Sequence, residues 1–283
     1  MSDWLEHDVL PAAIVAALLL LVLWPTEHSG RRLLQTWGIP EPRPEQTRAA
    51  VRYLWQRRIL YIVLFLVVPP VAGALIENDD ELPGMGIFVP LLVAMLLAET
   101  VATLRPVGGV RVASLDRRTW RALVPRWAVH TMAVMVVLSV GLAVLALTVG
   151  PVHDDGLPEP GPGTALAYLA VCLAMIGLLV HLAVRRPSVA DAEVDAALRT
   201  RTARVAFGIG FGWVGGTLLI TSQWLYGLYS ISRDDGGPAR PAWLTDWFGR
   251  VMEYTGLVQF VVVIVCWMWV ALPTRRSLAV TTR

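Results

Sequence analysis

Three ionisable side chains lie inside otherwise apolar runs of this chain: Glu99 in the stretch 85–104, His130 in 128–150 and His181 in 164–184. Glu99 precedes Arg105 by six residues, which puts its Cα about 9 Å along a helix from that arginine. His130 follows Trp127 by three residues, and His181 precedes Arg185 by four. On three consecutive membrane helices these spacings place all three groups at similar depth in the cytoplasmic leaflet, and consecutive helices are often neighbours. A carboxylate and two imidazoles that met there could pass protons, bind a substrate or a metal, or hold a haem between His130 and His181. The competing reading is that each polar tip reaches the cytoplasmic interface or satisfies a local hydrogen bond.

Little else in the sequence suggests chemistry. It contains no Gly-x-Ser-x-Gly, no His-Glu-x-x-His and no paired-cysteine metal motif, so no catalytic residues, no metal site and no cofactor are expected. Cys172 and Cys266 each sit in an apolar run and read as small buried hydrophobes. The 24 basic residues are all arginine. Without lysine there is no Schiff-base chemistry and no P-loop, so any ATP-driven step needs a partner. The outer acidic groups, Asp79-Asp80-Glu81 and His153-Asp154-Asp155, read as solvated charge runs, and Glu253, Tyr254 and Gln259 as possible cavity-facing groups.

The elements that must position these residues are membrane helices. Of 283 residues, 55% are hydrophobic and only 16% charged, with a mean hydropathy of +0.58. A soluble domain carries about 25% charged residues. The shortfall fits lipid-facing helices, where a central charge costs roughly 2.5–3.5 kcal/mol on insertion scales. Stretches of about 20 apolar residues occur at roughly 8–24, 59–76, 85–104, 128–150, 164–184, 205–230 and 252–272. Pro69-Pro70 predicts a bend in the second. The acidic start, with Asp3, Glu6 and Asp8, is unlike a cleaved signal peptide, so the first helix is expected to stay.

The segments between the stretches alternate in charge. Segment 25–58 carries seven arginines, 105–127 six and 185–204 five, and the tail adds Arg275, Arg276 and Arg283. Segments 77–84 and 151–163 are acidic, and 231–250 is mixed. Cationic loops stay in the cytoplasm. The expected fold is therefore an all-α polytopic bundle of seven transmembrane helices, N-terminus outside and C-terminus cytoplasmic, in the plasma membrane. It forms a single membrane domain: a leading helix at about 8–24, then helical hairpins at about 59–104, 128–184 and 205–272. Tryptophans near the helix ends agree with these boundaries.

The cytoplasmic segments 45–58, 114–127 and 188–204 read as helical, with Ser114 as a cap and Ser188 with Asp191 as a capping box. A weak repeat precedes three spans: Tyr53-Leu54-x-x-Arg57, Ala122-Leu123-x-x-Arg126 and Ala197-Leu198-x-x-Arg201. Gly208, Gly212 and Gly216 form a small-residue row on the sixth span, and Ala94, Ala98 and Ala102 a similar row on the third, both expected at close helix contacts. In the last outer loop, Trp243, Leu244, Trp247 and Phe248 form the apolar stripe of a short helix, lying on the leaflet or packed on the bundle.

The segments SGRRLLQTWGIPEP…QTRAAVRYLWQRR (29–58), RVASLDRRTWRALVPRWA (111–128) and ADAEVDAALRTRTAR (190–204) resemble uncharacterised multi-pass membrane proteins of actinobacteria. These are often encoded beside a GntR-type regulator and an ABC-transporter ATPase. The resemblance covers about half the chain, brings no established catalytic residues, and implies a membrane component working with an ATPase. The leading expectation is a non-enzymatic membrane subunit, permease-like or accessory, of an ABC-type transport system. Its partners are the lipid bilayer and a cytoplasmic ATPase or another membrane subunit, with no support for nucleic acid. The alternatives are a self-contained secondary or proton-coupled transporter, and a membrane scaffold or haem/redox protein.

Overall fold

The computed structural model describes residues 24–75, 85–104, 120–149, 157, 161–185, 191–233 and 241–271, and every regular element among them is a helix. In chain order these are α1 (Glu27–Thr36), α2 (Pro44–Leu75), α3 (Met85–Leu104), α4 (Trp120–Leu123), α5 (Arg126–Leu147), α6 (Pro162–Arg185), α7 (Ala192–Ile231) and α8 (Asp246–Ala271). Three of them, α5, α6 and α7, are long and apolar enough to cross a membrane, and α8 makes a fourth if its parts Asp246–Gly256 and Val261–Val270, bent by 42°, count as one span. Among the described residues the protein is thus all-helical, with several membrane-length helices. The leading stretch 8–24 except its last residue, Trp24, together with both acidic runs, Ser114 and Ser188, lies outside the described residues.

α7 is the central element. In its most apolar stretch 72% of residues are buried, against 28% in α5 and in α6. It lies against α3, α4, α5, α6 and α8, while α2 lies against α1 and α3. The outer faces of α5 and α8 carry exposed Val137, Val144, Val258 and Val261. In water such a surface would be costly, and in hydrocarbon it is the ordinary state of a lipid-facing helix.

Close approach to α7 occurs at glycines, though not chiefly along the expected row. A Cβ on Gly210 would run into Ile176 of α6 and come within 3.2 Å of Met132 of α5, and one on Gly215 would run into Val263 of α8. Gly208 is buried, a Cβ on Gly212 would make only ordinary contact with Leu92 at 3.6 Å, and one on Gly216 would meet open space. A helix enclosed on most sides needs small residues on more than one face, so a single i, i+4 row captures only part of its packing. Ala94, Ala98 and Ala102 are buried, and the last two pack with Leu60, Tyr61 and Leu64 of α2.

Below the apolar bundle is a second tier, made by α1 with the N-terminal parts of α2 and α7. Thr26 and Ser29 form a reciprocal capping box at the start of α1. The helix ends at Gly38, whose φ of 100° only glycine adopts cheaply. Ile39 N–H returns to Leu34 O (2.9 Å) and Gly38 N–H to Gln35 O (3.4 Å), the paired closure of a Schellman motif. That turn sends Ile39 back onto Leu34 in a cluster with Trp37, Tyr53, Leu54, Ala197 and Leu198. Two copies of the weak repeat, at Tyr53-Leu54 and Ala197-Leu198, therefore face each other. The third behaves differently: Leu123 packs on the main core and Arg126 is exposed.

Some boundaries differ from the sequence expectation. The N-cap of α7 is Asp191, whose carboxylate accepts from the N–H groups of Glu193 and Val194. α2 continues as helix through Pro69-Pro70 to Leu75. Trp247 and Phe248 belong to the first turns of α8 rather than to a separate loop helix. Leu244 is buried against α7 and Trp247 is 70% exposed, so the stripe is divided between bundle and surroundings.

Candidate functional site

Where α2, α3 and α7 meet beside the lower tier, a polar knot is closed off from solvent. Glu99 of α3 is 0% exposed, and both carboxylate oxygens are held by α2. Arg57 Nε donates to Oε2 at 2.7 Å, and Tyr61 OH donates to Oε1 at 2.6 Å. Arg57 is itself only 2% exposed. Its guanidinium lies 3.6 Å from the Tyr53 ring centroid, and its Nη2 donates to Thr202 Oγ1 of α7 at 3.0 Å. The donors in this network can be ordered. Thr202 spends its one hydroxyl proton on Leu198 O at 2.9 Å, so Tyr53 OH is the donor in the 3.1 Å bond between the two hydroxyls. Arg201 Nη1 then donates to Tyr53 OH at 2.9 Å.

These contacts follow from local sequence. Tyr53, Arg57 and Tyr61 are spaced by four on α2 and share one face, and Leu198 and Thr202 are spaced by four on α7. Thr103 and Thr100 each bond a carbonyl four residues back, at 2.7 and 2.8 Å, and so bring no unsatisfied hydroxyl to the knot. A charge-assisted bond out of water is strong, and an uncompensated partner is correspondingly costly. The knot is thus a rigid node joining three helices, with one carboxylate between cations and phenols.

A second ion pair lies near the start of α7, beside the end of α6. Arg199 Nε donates to Asp195 Oδ2 at 2.7 Å, one helical turn away. Its Nη1 donates to Ala183 O and Val184 O, both at 3.1 Å, at the end of α6. A cation bonded to the last carbonyls of a helix is favourably placed toward the helix dipole. Nearby, Gln46 of α2 donates to Asp191 Oδ2 at 2.6 Å and accepts from Arg43 N–H at 2.8 Å. Burial opposes charge on the Asp191 carboxyl, but the bonds from Gln46, Val194 and Glu193 and the charge of Arg43 outweigh it, holding its pKa below the ordinary carboxylate value.

The structure separates the three residues singled out by type. Glu99 is enclosed in the knot, whereas His130 on α5 and His181 on α6 are exposed. The groups bonded to Glu99 are Arg57 and Tyr61, not imidazoles. Among the described residues no group of three or more His, Cys, Asp or Glu could hold a metal ion. Glu253 and Tyr254 are exposed, and Gln259 is buried with neither amide atom hydrogen-bonded. Sequence reasoning missed Tyr61 and Thr202, and it read Tyr53 and Arg57 only as part of the weak repeat and of the basic segment 25–58. A usable signal was present: a carboxylate within an apolar run demands a counterion, and Arg57 stands at the start of the preceding apolar run.

No protein family, curated protein or solved structure matches the chain.

Proposed function

We propose that the chain crosses the plasma membrane seven times, N-terminus outside and C-terminus cytoplasmic, and serves as a non-enzymatic membrane subunit of a transport assembly. Its partner would be a cytoplasmic ATPase of the ABC type. The observation that carries this reading is the continuity of α2 and α7. Each runs without interruption from the packed lower tier into the apolar bundle, over 32 and 40 residues, and side chains interlock the two at the tier. A displacement imposed on such a tier reaches the membrane part through rigid helices. Exposed Arg31, Arg32, Arg48 and Arg52 give the tier a basic outer surface for an acidic partner face.

The test is a pull-down of the tagged full-length protein in mild detergent from its native host, with mass spectrometry of what remains bound. A stoichiometric ATPase supports the reading, and a partner-free protein refutes it. Reporter fusions after residues 80 and 157 test the topology: both must report outside, and a cytoplasmic signal from either rejects seven spans in this order.

The enclosure of Glu99 favours a second reading, a proton-coupled carrier in which this carboxylate is released from Arg57 during the cycle. In that case Glu99→Gln abolishes transport in reconstituted vesicles while the protein still folds. Unchanged transport would leave the knot a purely structural node.

A further inference from the structure

The junction between tier and bundle holds more cations than carboxylates. Arg57 is committed to Glu99, with Nε 2.7 Å from Oε2. Three further arginines lie close by at the level where α2 and α7 enter their apolar stretches. Arg201 and Arg204 are three residues apart on α7. Arg58 is half-buried, and burial together with the charge of Arg201 keeps its pKa below the ordinary arginine value. Arg201 bonds a phenol, Tyr53, rather than a carboxylate of its own, with its guanidinium carbon 5.1 Å from the ring centroid.

Arg204 is the least satisfied of the three. It is only 7% exposed, its guanidinium carbon lies 5.5 Å from the Trp37 ring centroid, and its Nε has no hydrogen-bond partner. A buried, unpartnered guanidinium N–H is costly and calls for an acceptor. Trp37 and Tyr53 belong to one apolar cluster, so the two aromatic rings carry Arg201 and Arg204 on the same part of the tier. Arginine's planar donor fork suits a phosphate oxyanion, and basic pockets at the cytoplasmic ends of membrane helices suit anionic headgroups.

We propose that Arg58, Arg201 and Arg204, gathered beside Trp37 and Tyr53 where α2 and α7 leave the tier, bind a phosphate-bearing anion supplied by an acidic phospholipid of the cytoplasmic leaflet. The proposal rests on the reading of this junction as lying at the cytoplasmic membrane surface. Such a lipid offsets part of the excess charge and fixes the tier against the bilayer.

The experiment uses the full-length protein purified in mild detergent, with binding of phosphatidylglycerol, phosphatidylcholine and inorganic phosphate measured by native mass spectrometry and by the shift in unfolding temperature. The wild type is expected to retain phosphatidylglycerol over phosphatidylcholine. Arg58→Gln and Arg204→Gln are each expected to bind it roughly fivefold more weakly. Arg58→Lys, which keeps the charge, should recover part of the loss seen in Arg58→Gln, and the half-buried position 58 keeps the test decisive if Arg204→Gln fails to fold. Arg126→Gln, an exposed arginine at the start of α5, should change nothing. Equal retention of the two lipids by the wild type, or equal losses in Arg126→Gln and Arg204→Gln, overturns the proposal. Inorganic phosphate protecting as well as the lipid overturns the lipid source and leaves a soluble phosphate anion in its place. Alkaline carbonate extraction separates the two readings. A protein released into the soluble fraction defeats the membrane reading itself, whereas a membrane-retained protein with no lipid preference defeats only this inference.

Discussion

Two buried arginine–carboxylate pairs have the same 2.7 Å contact and are otherwise unlike. Asp195–Arg199 is a pair at i, i+4 on one helix, and its spare donor closes the end of α6. Arg57–Glu99 joins residues 42 apart on two helices, with a third helix bonded to the same guanidinium through Thr202. The local pair forms as soon as α7 does and then fixes one neighbour. The distant pair forms only when α2, α3 and α7 assemble, so its geometry reports that assembly. A carboxylate whose partners come from other helices is better suited to sense their relative movement than one bonded within its own turn.

That contrast predicts an order of effects. Glu99→Ala should be the most damaging, at about 3–5 kcal/mol, because it strands a buried guanidinium. The apolar replacement Arg57→Met with Glu99→Leu should recover most of the loss. Denaturant unfolding of the detergent-solubilised protein measures both, and a double variant as unstable as the single would show that the ion pair is not the cause. Arg199→Ala should come second, at about 3 kcal/mol, because it strands the buried Asp195 carboxylate and takes a donor from two carbonyls of α6, but within contacts local to two helices. An Arg199 effect larger than that of Glu99 would reverse the ranking and make the local clamp the principal joint.

Asp191→Ala should come next, at about 0.5–2 kcal/mol, through loss of the α7 N-cap and the Gln46 bond. Its pH dependence has a definite sign. The folded carboxyl titrates below its unfolded value of about 3.9, so its contribution is present above that value and lost as pH falls through the folded one. Stability of the wild type should therefore fall more steeply in acid than that of Asp191→Asn. The smallest effect belongs to the imidazoles. His130→Ala and His181→Ala should each change stability by less than about 0.5 kcal/mol, as exposed positions do. A loss of transport in either variant without loss of stability would give the imidazoles a role apart from the enclosed carboxylate.

Hydrophobic runs made the helices legible in the sequence. Met85–Leu104 has the expected bounds, and α5, α6 and α8 begin or end within a few residues of the expected ones. A stretch of apolar residues needs no partner to declare itself, because its transfer out of water depends only on its own side chains. The helical entries to the apolar stretches of α2 and α7 were readable for a similar reason, being continuous with the runs that follow. Glu99 could be recognised as an exception, since a charge among apolar neighbours is visible in one dimension.

Its partners could not be read in that way. The sequence contains 24 arginines, all alike in one dimension, and nothing local distinguishes Arg57 from Arg58. Helix rotation and approach make the distinction, turning Arg57 toward Glu99 and leaving Arg58 half-buried beside Arg201. The same holds for the imidazoles. Depth along a helix follows from counting residues at 1.5 Å each, but which way His130 and His181 face depends on how α5 and α6 pack around α7. Sequence alone thus determined the helical class, the apolar stretches and the residues that had to be exceptions. The packing of several helices around α7 decided which exceptions meet, because facing and pairing are properties of the assembled bundle.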